Sequence, residues 1–64
     1  MDLPGLIRKV RMDRGLTLEE FGRLIGRSKQ YMFMLENGRI RLSYETAAKI
    51  AKALGTKPDS LFFS

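Results

Sequence analysis

Cysteine and histidine are both absent from this chain of 64 residues. Without cysteine there can be no disulfide framework and no thiolate metal site. Without histidine as well, the usual nucleophile–base pairs and nearly all zinc sites are excluded. The seven Asp and Glu residues do not fill the gap. Glu19 and Glu20 are explained as acids at a helix start, and the others stand apart in sequence. No catalytic residue, metal or cofactor is therefore expected, no small-molecule ligand is evident, and an enzyme is an improbable reading. The chain also has no apolar run near the roughly 18 residues of a membrane span, and its N-terminus has no signal-peptide core. The expected location is cytoplasmic, away from the membrane.

What is present is positive charge. Twelve Lys and Arg against seven Asp and Glu leave a net +5. The excess is uneven: residues 1–42 carry nine basic and five acidic side chains (+4), residues 43–64 three and two (+1). Such a balance suits a polyanionic partner, although simple solubility explains charge of this size equally well. At this length about 60% of the unfolded surface is buried on folding, so one small domain over 1–64 with a modest core is expected.

Apolar spacing predicts helices throughout. Leu3, Leu6, Ile7 and Val10 recur at i, i+3, i+4, i+7 behind a candidate cap at Asp2. Arg8, Arg11 and Arg14 fall off that stripe, and solvated face explains them as well as phosphate contact does. Thr17 with Glu20 fits a capping box, and a second helix is expected over about 17–25. In it Leu18, Phe21 and Ile25 share a face with Gly22. A mid-helix glycine costs up to about 1 kcal/mol against alanine, so Gly22 predicts the close approach of another helix. Gly26 ends that helix, and Ser28 caps a third over about 28–37, which Gly38 stops. Ser43 caps a fourth, with Ala47, Ile50, Ala51 and Leu54 as its stripe. Pro58 opens a last short helix that folds Leu61 and Phe62 onto the core. No strand pattern competes, so the expected fold is an all-α bundle of five helices.

The third helix has an unusual outer face. At 100° per residue from Lys29, Tyr31, Leu35 and Met32 fall at about 200°, 240° and 300°, an inward arc. Lys29, Phe33, Gln30 and Met34 fall at about 0°, 40°, 100° and 140°, on the opposite side. Lys29, with Arg27 before it, opposes the helix dipole by about 0.3–1 kcal/mol. The second helix puts acids at the equivalent place.

The run GLTLEEFGRLIGRSKQYMFMLENGRIRLSYETAAKIAKALGTKPDSLF resembles the Cro/phage-repressor (XRE) type of helix-turn-helix protein. The resemblance covers nearly the whole chain. Its most specific pieces are Gly15-Leu16-Thr17, the turn from Gly26 to Ser28, Leu35-Glu36-Asn37-Gly38, and Lys49 to Gly55 followed by Leu61-Phe62. It implies a compact five-helix, lambda-repressor-like fold whose third helix reads the DNA major groove, commonly as a homodimer, in a transcriptional regulator of the repressor kind. It also implies base contacts at Lys29, Gln30, Phe33 and Met34, and phosphate contacts at Leu18, Asn37, Arg39 and Arg41. Arg27 and Ser28, beside the third-helix start, join the phosphate set. The chain departs from the family at three places. Leu18 stands where glutamine is frequent, Gly22 where alanine is usual, and Phe33 and Met34 where polar residues are usual.

Gln30 can pair bidentately with adenine and Lys29 can donate to guanine, while Phe33 and Met34 offer only apolar surface, which suits thymine methyl groups. An A/T-containing half-site follows. Arg39 and Arg41 fix register on phosphates without reading sequence. Tyr31 reads as packing rather than base contact. Phe62 belongs to the core by family position, which leaves Phe63 as the candidate subunit contact. With the chain closing at Ser64, dimerisation is expected to use this domain's own surface. The competing reading is a protein-binding helix-turn-helix that docks through Phe33, Met34, Tyr31, Leu18 and Leu24. An antitoxin that binds both DNA and a toxin lies between the two.

Overall fold

Local capping fixes where each helix begins. In the computed structural model, which describes residues 2–63 and side chains as far as Phe62, the helices are α1 (Leu3–Asp13), α2 (Leu18–Ile25), α3 (Lys29–Glu36) and α4 (Tyr44–Ala53). Asp2, Thr17, Ser28 and Ser43 each accept a hydrogen bond from a backbone amide three residues on, which satisfies one orphan donor of the helix that follows. The capping box at α2 is complete: the Glu20 amide donates to Thr17 Oγ1 at 3.0 Å and the Thr17 amide to Glu20 Oε1 at 2.9 Å. The last segment is the expected short helix, wound more widely than an α-helix. Asp59–Phe63 forms a single π-helical turn, and its Phe62 is buried against the core as expected.

The apolar stripes meet in one cluster. Ile7 of α1, Phe21 of α2, Met32 and Leu35 of α3, and Ile50 of α4 are the largest fully buried side chains. Tyr31, half-buried, extends this packing through its hydroxyl, 3.3 Å from the Oγ1 of the buried Thr46. α3 packs mainly on α2 and α1, with Tyr31 reaching α4, while the arc carrying Lys29, Gln30 and Phe33 stays exposed.

Gly22 is buried at the tightest of these junctions. A Cβ built there would lie 2.5 Å from the Arg27 carbonyl oxygen, 3.1 Å from the Ser28 carbonyl oxygen and 3.1 Å from Met32 Cγ. A close approach was expected, but from a neighbouring helix. The nearest atom comes instead from the backbone of the α2–α3 turn folding back over α2, with the Met32 side chain of α3 next to it.

One charged pair also holds α3. The sequence leaves Arg11 open between solvated face and phosphate contact, and the structure gives it a structural pairing instead. Its Nε donates to Glu36 Oε2 at 2.7 Å, its Nη2 to Glu36 Oε1 at 3.1 Å and its Nη1 to the Leu16 carbonyl at 2.8 Å. The Glu36 side chain is only 4% exposed and that of Arg11 15%. The pair thus joins α1, the α1–α2 loop and the end of α3 in a single fork.

Candidate nucleic-acid interface

The free arc of α3 carries the expected residues. Lys29, Gln30 and Phe33 are exposed, and Phe33 keeps 49% of its surface open. Met34 departs from expectation. It is half-buried, near the end of α3 where the Arg39 amide donates to the Met34 carbonyl at 2.9 Å. Met34 is therefore a rim residue of this face rather than part of its centre.

α3 has no acid in its first turn, in contrast to α2 with Glu19 and Glu20 and α4 with Glu45. Lys29 occupies the first helical position and Arg27 precedes the cap. The Arg27 guanidinium is stacked 4.6 Å over the Tyr31 ring, which delocalises part of its cost and holds it beside the helix start. The Ser28 hydroxyl is committed as the cap, accepting from the Tyr31 amide at 3.0 Å. Beyond α3, Arg39 and Arg41 are exposed, and neither makes an ion pair among the described residues. The Asn37 side chain is exposed but engaged, its Nδ2 donating to the Phe33 carbonyl at 2.8 Å. At the start of α2, the Thr17 backbone amide and then its side chain hold the Glu20 carboxyl below its ordinary value of 4.5, with Arg23 adding a smaller pull.

Two depressions flank Phe33. One, of ≈ 440 Å³, is lined by Leu18, Ser28, Lys29, Gln30 and Phe33. The other, of ≈ 210 Å³, is lined by Arg8, Arg11, Leu18, Phe33, Glu36 and Asn37. Leu18 and Phe33 border both, so the start of α2 and the outer arc of α3 form one continuous surface. The second depression adds a cation that periodicity left unassigned. Arg8 is exposed one turn from Arg11, and the i, i+3 spacing of these two on α1 was the available signal. The apolar set proposed for protein docking is not continuous. Tyr31 turns toward Thr46, and Leu24 (52% exposed) lies in a different depression with Ile25, Lys49, Lys52 and Ala53. Phe63, the expected subunit contact, lies outside the described side chains.

Among the described residues, no cluster of three or more acidic side chains could hold a metal, and no helix is long and apolar enough to cross a membrane. Residues 7–61 match the helix-turn-helix family. This chain belongs to that family, in its Cro/phage-repressor branch. It is 44% identical over 50 residues to an uncharacterized HTH-type transcriptional regulator of Methanothermobacter thermautotrophicus, a match spanning 78% of this chain and 72% of the relative. Its backbone is similar to the clp gene regulator ClgR of Corynebacterium glutamicum (TM-score 0.83, 34% identity, 92% of this chain and 77% of that one). It also shares the fold of the P22 c2 repressor, solved in complex with a synthetic operator (TM-score 0.83, 22% identity, 97% and 94%). The family and the fold are those of transcriptional regulators.

Proposed function

We propose that residues 1–64 act as one sequence-specific DNA-binding domain, which lays α3 in the major groove of double-stranded DNA and represses transcription as a homodimer. The observation that carries this reading is the outer arc of α3, where exposed Lys29 and Gln30 sit beside Phe33 and are followed by Arg39 and Arg41, which make no ion pair among the described residues. Lys29 and Gln30 read base edges, Phe33 supplies apolar contact, and Met34 contributes from the rim. Arg39, Arg41 and the engaged Asn37 meet phosphates, as do Arg27, Ser28 and the backbone at Leu18, where capped helix starts offer amides to an anion. Arg8 joins this phosphate set because it shares a depression with Leu18 and Asn37. The relatives named as transcriptional regulators support the same reading.

A single eight-residue helix reads few base pairs, and two copies on half-sites about one helical turn apart supply the rest. Residence in the cytoplasm follows from this role. The test is selection from a random duplex pool, followed by titration at several salt concentrations. Log affinity is expected to fall linearly with log salt, with a slope near −0.9 per phosphate neutralised. Failure to recover any duplex at low salt, or an affinity indifferent to salt, contradicts the proposal. Sedimentation of the protein free and on DNA checks the homodimer, and a monomer in both states contradicts it.

A further inference from the structure

Arg27 is exposed, lies between α2 and α3, and makes no ion pair among the described residues. An arginine so placed has many rotamers open to it, and gripping a phosphate would cost it that freedom. Its guanidinium is nonetheless held, 4.6 Å from the centroid of the Tyr31 ring. Tyr31 is pinned in turn at both ends. Its amide donates to the Ser28 cap at 3.0 Å, and its hydroxyl lies 3.3 Å from Thr46 Oγ1. Thr46 is buried and accepts from the Ser43 hydroxyl at 3.1 Å, so the phenol is anchored in the first turn of α4.

This arrangement leaves the useful part of Arg27 free. A guanidinium lying over a ring keeps its in-plane N–H donors, the fork that fits a phosphate. The ring attracts the cation without consuming those donors or its charge. A carboxylate partner would do both, and α3 has no acid in its first turn. We infer that Tyr31 is a positioning residue for DNA binding, its ring tethered through Thr46 to α4 and holding Arg27 ready for a phosphate. This rests on the proposal that α3 meets DNA, and it adds to the packing of Tyr31 a part in affinity. Tyr31 itself touches no base and sets no sequence preference.

The test is a double-mutant cycle on duplex affinity, read beside proton NMR of the free protein. In the free parent protein the ring current should move the Arg27 δ-methylene protons upfield, and Tyr31→Leu should abolish that shift. Tyr31→Leu is expected to lower affinity about two- to fivefold, the worth of one exposed cation–π contact, on selected and random duplexes alike. In an Arg27→Ala background the same substitution should cost nothing further, because the cation it positions is gone. Tyr31→Phe keeps the ring and removes only the tether. It remains informative if Tyr31→Leu is poorly folded, and its smaller loss should likewise vanish without Arg27. Losses at Tyr31 that are equal with and without Arg27 show a purely structural role and overturn the inference. So do Arg27 protons at their ordinary shifts, or an Arg27→Ala variant that binds like the parent. Each of these leaves the DNA reading standing, whereas failure of the parent protein to bind any duplex removes that reading and the inference with it.

Discussion

Arg11 Nε and Glu36 Oε2 lie 2.7 Å apart, linking side chains 25 residues apart in the chain. The bond orients the whole proposed interface, because Glu36 is the last residue of α3 and Arg11 sits two residues before the end of α1. It has an electrostatic effect too. Glu36 lines the same depression as Leu18, Phe33 and Asn37, where an unpaired carboxylate would repel DNA phosphate. The bidentate guanidinium cancels that charge.

Removing one partner of this pair should be far more damaging than removing both. Glu36→Ala leaves the Arg11 guanidinium largely buried without its carboxylate, a change expected to cost about 3–5 kcal/mol. Replacing the pair together by Met at 11 and Leu at 36 should recover most of that loss, since apolar residues of similar volume need no compensating charge. Urea denaturation of the two variants checks this. A Glu36→Ala loss below about 1 kcal/mol would mean that the pair behaves as a surface bridge.

Gly22→Ala is expected to destabilise, although alanine is the better helix former by about 1 kcal/mol. The added Cβ would sit 2.5 Å from the Arg27 carbonyl oxygen, a backbone atom that cannot rotate away. Relief requires the α2–α3 turn to shift, and overpacking of this kind costs about 1–3 kcal/mol. A thermal melt decides the sign. A raised melting temperature would show that the turn moves freely, and would remove the geometric reason for glycine here.

The Glu20 carboxyl, held down first by the Thr17 backbone amide, should titrate below its ordinary value of 4.5 in the folded protein. A depressed folded value means that its contribution to stability is present above 4.5 and is lost as pH falls through the lower folded value. Side-chain NMR titration reads this directly. Thr17→Ala should move the Glu20 midpoint up toward 4.5 by removing the side-chain bond, while the backbone bond retains part of the shift. No movement would assign the shift entirely to the backbone amide.

Much of this was legible in the sequence because the signals are local. Asp2, Thr17, Ser28 and Ser43 each cap the helix that spacing placed after them, and the inward arc of α3 delivers Met32 and Leu35 to the core. What sequence spacing could not supply were relations across the fold. Arg11 lies on the polar side of its own helix, where periodicity names no partner, and only the packing of α3 brings Glu36 to it. Met34 falls on the outer arc of an isolated helix, but in the folded chain it is half-buried, which the geometry of one helix cannot foresee. Gly22 announced a close approach, while the identity of the neighbour depended on the path of the turn.

Gln30 and Arg41 should fail in different ways. Both are exposed, but Gln30 lies on α3, where its amide can pair with a base edge, whereas Arg41 lies in the connector, where a phosphate is the natural partner. Gln30→Ala is expected to cost about 1–3 kcal/mol on the selected duplex and to relax preference at one base pair, with little loss on random DNA. Arg41→Ala should weaken selected and random duplexes alike and reduce the magnitude of the salt slope by about 1. Gln30→Ala puts a good helix former at an exposed position of α3 and Arg41 lies outside the helices, so melting temperatures near that of the parent are expected, and affinity can be compared directly. Equal losses on selected and random DNA for both variants would show that Gln30 does not read bases. A preserved salt slope in Arg41→Ala would remove that residue from the phosphate set.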